Sequence, residues 1–169
     1  MTPIKTDVTI SLNDADTMLK DAKKAYSNGM NILKVKVGSD VLHAVNVVRA
    51  ISKELPDAQI LVDANQAWSL EQSLFFCQNS KDLKLELIEQ PVVASDLEGL
   101  KQITEVSHIP ILADEAAFTL KEVQNIVESK SADMINIKFM KCGGVSKAVE
   151  ILEYAREQNV ICMLGSMLE

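Results

Sequence analysis

Histidine, cysteine and long apolar runs are scarce in this chain of 169 residues, and each scarcity excludes something. With only His43 and His108, a histidine-built metal centre is ruled out, and both residues read as surface or core filler. Cys77, Cys142 and Cys162 are odd in number and lack C-x-x-C spacing, so neither a disulfide framework nor a thiolate metal site is indicated. Free cysteines fit a reducing compartment, and the expected location is the cytoplasm. No apolar run approaches the ~18 residues that a membrane helix needs. Residues 1–7 are polar, unlike a secretory signal. Glycine occurs only 6 times and no heptad persists, which excludes collagen-like and coiled-coil chains. Basic charge is also short: 17 Lys and Arg against 24 Asp and Glu leave a net charge of −7. Phosphate backbones want a basic face, so neither nucleic acid nor a membrane is expected as partner. A small substrate and a divalent cation remain compatible.

What is present is a repeating unit. Apolar runs rich in Val and Ile occur at residues 8–12, 32–37, 59–64, 85–89, 111–113, 134–139 and 160–164, and read as seven strands. Helical patterns fill the intervals. Residues 14–27 carry one apolar stripe and stop at Asn28-Gly29. A second pattern covers 40–54, and a sixth runs over about 145–158 after Gly143-Gly144. Three helices open on predicted capping boxes, Ser69-x-x-Gln72, Ser95-x-x-Glu98 and Thr119-x-x-Glu122. Strand and helix alternating six times is a parallel α/β arrangement, whose strands are covered on both faces and hence almost wholly apolar. A doubly wound sheet and a (β/α) barrel both fit; no Gly-x-Gly-x-x-Gly follows the first strand.

Charge is concentrated where the strands end. Lys36, Asp63, Glu89, Asp114 and Lys138 follow one another at intervals of 27, 26, 25 and 24 residues, one ionisable group per βα unit. In a barrel all five sit at the carboxyl-end rim, where such folds keep their chemistry. In an open sheet they would separate by ~4.8 Å at each strand step. Convergence favours an α/β fold built as an incomplete (β/α) TIM-type barrel of seven parallel strands and six helices, with residues 1–169 as one partial (β/α)7β domain.

Three carboxylates aimed at one point repel unless a cation lies between them. All-oxygen ligation by Asp63, Glu89 and Asp114 suits Mg2+ first and Mn2+ second. A metal can stabilise an enolate, and a lysine can remove the proton α to a carboxylate. Lys34 shares a strand face with Lys36 and can supply it with a neighbouring positive charge. Lys138, four strands further round, approaches from the opposite side. Two bases on opposite faces of one α-carbon suit racemisation or epimerisation.

These residues stand in recognisable wording: Lys34-Val-Lys36-Val-Gly38, Val62-Asp63-Ala-Asn65-Gln66-Ala-Trp68, Ile88-Glu89-Gln90-Pro91, Ala113-Asp114-Glu115 and Asn136-Ile-Lys138-Phe-Met-Lys141-Cys-Gly143-Gly144. The chain resembles the enolase superfamily over essentially its whole length, within it the muconate-lactonising subgroup; that superfamily's use of a Lys or His base with Mg2+ is a known pattern. Thr6–Ser11 and residues 162–169 are closest to the dipeptide (L-Ala-D/L-Glu) epimerases. The resemblance implies Asp63, Glu89 and Asp114 as metal ligands, Lys36 and Lys138 as acid/base groups, and Lys34, Thr9, Asn65 and Ser166 along the substrate pocket. It implies a small carboxylate substrate, a dipeptide first. Lactonising enzymes and succinylbenzoate synthases share these residues, so a cycloisomerase is a second reading and a non-catalytic partial-barrel scaffold a third.

Family members also carry a capping domain, an eighth strand and an Asp-x-Asp beyond it that holds the substrate's ammonium group. None of these can be placed here, so the chain is expected to be part of a longer enzyme, with little activity alone and with barrel edges prone to self-association. Trp68 is expected near the site or in loop packing, and Gly143-Gly144 as an anion contact or a plain turn. Glu115 is expected on the face opposite Asp114, and Lys141 in solvent.

Overall fold

The computed structural model describes residues 4–166. Its elements alternate as β1 (Val8–Ile10), α1 (Ala15–Ser27), β2 (Ile32–Lys36), α2 (Val41–Glu54), β3 (Gln59–Asp63), α3 (Leu70–Asn79), β4 (Leu85–Glu89), α4 (Leu97–Val106), β5 (Ile111–Ala113), α5 (Leu120–Ser129), β6 (Met134–Ile137), α6 (Phe139–Cys142), α7 (Val145–Glu157) and β7 (Ile161–Leu164). The sheet runs β1-β2-β3-β4-β5-β6-β7 in chain order, with every pair parallel. A doubly wound sheet reverses its strand order at a switch point. Here no reversal occurs, so the incomplete barrel is the architecture. β1 and β7 close the row at its two ends, each paired on one side only among the described residues.

Two apolar layers hold the sheet. Between strands and helices lie fully buried Met18, Leu33, Phe76, Leu100, Ile103 and Ile126. On the concave face Leu61, Leu87 and Leu112, on three successive strands, pack with Ile32, Met134 and Met163. Two residues further along each of β3, β4 and the end of β5, on the same face by strand alternation, come Asp63, Glu89 and Asp114. A hydrophobic floor thus lies directly under the charged rim.

Local chemistry explains the helix starts. Ser69 with Gln72 and Thr119 with Glu122 close full capping boxes at α3 and α5. The expected box at Ser95 is displaced by one residue: Asp96 caps α4, its Oδ1 accepting from Gly99 N–H at 2.8 Å. A Cβ at Gly99 would lie 2.3 Å from Asp96 Oδ2, so the glycine makes room for this carboxylate, a better cap than a pairing with Glu98. Among the described residues the helices number seven, not six. The extra one, α6, is a single turn immediately after β6; four residues are too few to show a helical period, and its first residue reads as strand in the sequence. Gly143 and Gly144, at φ +94° and +99°, form the turn from α6 to α7. Trp68 is a packing residue: 3% exposed, it donates from Nε1 to Gly38 O at 2.9 Å and lies 4.8 Å from the Phe76 ring. Among the described residues no helix is long and apolar enough to cross a membrane.

Candidate active site

The carboxyl ends of β2 to β6 deliver their ionisable groups to one row, whose carboxylates are buried. Asp63, Glu89 and Asp114 are 1%, 0% and 0% exposed. Asp63 and Glu89 are register partners on β3 and β4, and Lys36 is the partner of Asp63 on β2. Lys34 Nζ bridges two strands, 3.0 Å from Asp63 Oδ2 and 2.6 Å from Glu89 Oε2. Glu89 Oε2 is buried, and its close partner among the described residues is this ammonium. Lys36 Nζ donates to the same Asp63 Oδ2 at 3.1 Å and to Asn65 Oδ1 at 2.5 Å. On the far side Lys138 Nζ donates to Asp114 Oδ2 at 2.5 Å. Thr9 is the register partner of Lys34 and so shares its face. Ser166 follows Gly165, two residues past β7. The final part of the strand-seven wording, residues 167–169, lies outside the described residues.

Burial and charge decide the protonation of the central groups. Burial pulls the Lys34 ammonium down, but Glu89 and Asp63 outweigh it and hold the group well above the ordinary lysine range. Lys34 is therefore a fixed cation rather than a base. Burial pushes the Asp63 carboxyl up, and Lys34 and Lys36 overcome it, holding the group below its ordinary value. Glu89 goes the other way: burial, then the charge of Asp63, push it up to about 7 against the pull of Lys34.

Four further groups belong to this cluster. Asn136 on β6 donates to Glu89 Oε1 at 2.9 Å, across the intervening β5. In a flat sheet β4 and β6 would stand ~9.6 Å apart, so the contact registers the curl of the sheet. Gln90, fully buried at φ +36°, accepts from Asp114 N–H at 3.0 Å and Ala116 N–H at 3.1 Å and donates to Val92 O at 3.0 Å. Lys141, expected in solvent, instead reaches Asp114 Oδ1 at 3.3 Å and lies 4.6 Å over the Phe118 ring. Turning back on α6 brings it inward. Glu115, expected on the opposite face, accepts from Asn65 Nδ2 at 3.2 Å. β5 ends at Ala113, so strand alternation no longer governs where Glu115 points. Gly165 fits closely over this group: a Cβ there would meet Asn136 Oδ1 at 2.5 Å and Lys138 Cε at 2.7 Å.

Gln90 sets a local test. Gln90→Leu leaves two buried N–H groups unpaired and is expected to lower stability by about 1–3 kcal/mol, read from the urea midpoint. Gln90→Met, similar in length but without the amide, should lose about as much; near-zero losses in both variants would sink the assigned hydrogen bonds.

The donor set suits a hard divalent cation. Three buried carboxylates stand at the ends of successive strands, and among the described residues Glu89 Oε2 and Asn136 Oδ1 are buried without hydrogen bonds. The ammonium groups of Lys34 and Lys138 stand against those carboxylates, and among the described residues no three acidic, histidine or cysteine side chains form a ready-made metal cluster.

Known proteins share this fold. The family model described as enolase C-terminal domain-like matches residues 17–169. An L-amino acid-D/L-Glu epimerase from Sulfurimonas denitrificans is 67% identical over 166 residues, covering 98% of this chain and 49% of that protein. A substrate-liganded L-Ala-D/L-Glu epimerase from Bacillus subtilis superposes with a TM-score of 0.96 at 38% identity, covering 98% of this chain and 47% of that one. A dipeptide epimerase from Enterococcus faecalis V583, solved with Mg and the dipeptide L-Leu-L-Tyr, has a TM-score of 0.95 at 35% identity, covering 97% of this chain and 47% of that one. The chain spans about half the length of the curated relatives it matches.

Proposed function

The chain belongs to the enolase C-terminal domain-like family, and from that premise we propose that it carries the proton-transfer machinery of an epimerase acting α to a carboxylate, on a dipeptide. The observation that carries this reading is the pair of flanking amines. Lys36, from β2, and Lys138, just past β6, stand four strands apart on either side of one buried carboxylate row. Relatives named as dipeptide and L-Ala-D/L-Glu epimerases support the substrate class.

In this reading Asp63, Glu89 and Asp114 would hold Mg2+, or Mn2+ in its place, which when bound would supply positive charge beside the substrate carboxylate. Lys34, fixed as a cation, adds charge beside Asp63 and Glu89 and attracts the same carboxylate. One amine, Lys36 or Lys138, takes the α-proton; the other returns a proton to the opposite face, inverting the centre. Each then has the protonation state the other began with, so the reverse reaction uses the same groups in exchanged roles. Thr9 and Ser166 flank the substrate at the two ends of the strand row. The leucine floor beneath the rim keeps water from below.

The test is direct. In D2O with Mg2+, the chain within its longer enzyme is expected to exchange deuterium into the glutamate α-carbon of both L-Ala-L-Glu and L-Ala-D-Glu and to interconvert them, followed by NMR, while these 169 residues alone should show little of either. Absence of exchange from both epimers in the Mg2+-loaded longer enzyme overturns the proposal. Exchange without inversion would point instead to a cycloisomerase-like use of the same amines.

A further inference from the structure

Glu115 neighbours a candidate metal ligand, yet its carboxylate faces another strand end. Oε1 accepts from Asn65 Nδ2 at 3.2 Å, and Oε2 is buried with no hydrogen-bond partner among the described residues. Asn65 in turn accepts from Lys36 Nζ at 2.5 Å through Oδ1 and donates its backbone N–H to Asp63 Oδ1 at 3.0 Å. We infer that Glu115 is a positioning residue for the Lys36 amine, acting through Asn65; the consequence for catalysis rests on the proton-transfer reading above, while the placement of the amine does not.

The argument is one of polarity. The Asn65 amide has an acceptor end and a donor end. An ammonium accepts nothing, so Lys36 requires the oxygen. The nitrogen must then find an acceptor, and the Glu115 carboxylate is the one it meets. A flipped amide would set N–H against ammonium and C=O against carboxylate, two repulsions at once. Glu115 thus locks the orientation that presents Oδ1 to Lys36. Asn65 itself sits at φ +45°, in the left-handed region that asparagine tolerates better than most residues, at the turn that leaves β3.

Lys36 needs such help more than its neighbours do. Its side chain is 37% exposed, against 12% for Lys34, 10% for Lys138 and 17% for Lys141. Packing fixes the other three stems. A four-carbon stem at a half-open rim must be aimed by hydrogen bonds, and misplacement by about 1 Å can cost about 100-fold in rate.

The experiment has two readouts in the same Glu115 variants. The first is the ¹⁵N ammonium resonance of Lys36, assigned by its disappearance in Lys36→Arg. In Glu115→Ala it should shift and lose order while that of Lys34 stays in place; Glu115→Gln, which keeps an acceptor for Asn65, should restore the wild-type position. The second is α-deuterium exchange from L-Ala-L-Glu and L-Ala-D-Glu. Only the epimer that presents its proton to Lys36 should slow in Glu115→Ala, by about 10- to 100-fold, and Glu115→Gln should recover most of that loss. Asn65→Ala should cause the same one-sided loss, and combining it with Glu115→Ala should add little, as for residues in one network. An unmoved Lys36 resonance overturns the inference, and so does an equal slowing of both epimers. If wild-type protein exchanges neither epimer, the epimerase reading fails, and the ammonium resonance still decides whether Glu115 places Lys36.

Discussion

Lys138→Ala is expected to lower interconversion of the two dipeptide epimers by about 10²- to 10⁴-fold, the usual contribution of a general acid or base. The geometry makes the loss one-sided. Lys138 lies beyond β6, and Lys36, on β2, keeps its contacts with Asp63 and Asn65 when Lys138 is removed. The epimer whose α-proton faces Lys36 should continue to exchange with deuterium and be reprotonated on the same face. Lys36→Ala should give the mirror result with the other epimer. The fold should survive both changes, because Asp114 retains Lys141 and Asp63 retains Lys34. Mass spectrometry of deuterium content, alongside chiral separation of the product, reads exchange and inversion separately. Loss of exchange from both epimers in either variant would mean that the lysines act as one unit, and the two-base mechanism would have to be abandoned.

The second large effect concerns stability. Lys34→Ala removes the cation between Asp63 and Glu89 and should lower unfolding free energy by about 3–5 kcal/mol at neutral pH, as expected when a buried ion pair loses one partner. The penalty should depend on pH. The Glu89 carboxyl is pushed up to about 7 in the fold, from an ordinary value of 4.5. It therefore binds a proton more tightly folded than unfolded, so its contribution to stability is greatest in acid and is lost as pH rises through 7. Without Lys34 this dependence should steepen, with the variant closest to wild type near pH 5. Pairing Lys34→Met with Glu89→Gln removes both charges and should recover much of the loss, since a neutral pair of similar shape leaves no uncompensated ion. Urea unfolding at pH 5 and pH 8 measures all three proteins. A Lys34→Ala protein equally stable at both pH values would show that Glu89 does not carry the burden assigned to it.

The strand positions were legible because buried parallel strands admit little but Val, Ile and Leu. A Lys, Asp or Glu at the end of each then stands out against its neighbours. Spacing of 24 to 27 residues turned those exceptions into a row. What escaped the sequence had other causes. Gln90 and Asn136 are neutral amides, and nothing in composition separates a buried bridging amide from a surface one. Lys141 depends on α6, a turn too short to announce itself by periodicity. Glu115 leaves the face that strand alternation predicts because it lies two residues past the end of β5, where the backbone has already turned. The cap at α4 moved from Ser95 to Asp96 because Gly99 leaves space for a carboxylate, a steric fact invisible in a motif pattern.

The contact between Asn136 and Glu89 across β5 has a bearing on how such a chain tolerates change. Every strand contributes on alternate residues, so deleting one residue within β4 would swing Glu89 outward toward the helices and put Gln90 in its place on the rim. Lengthening a loop on the opposite, amino-terminal end of the sheet disturbs no such parity. Insertions and deletions accumulated over evolutionary drift should therefore collect at that end, while the strands keep their lengths residue for residue.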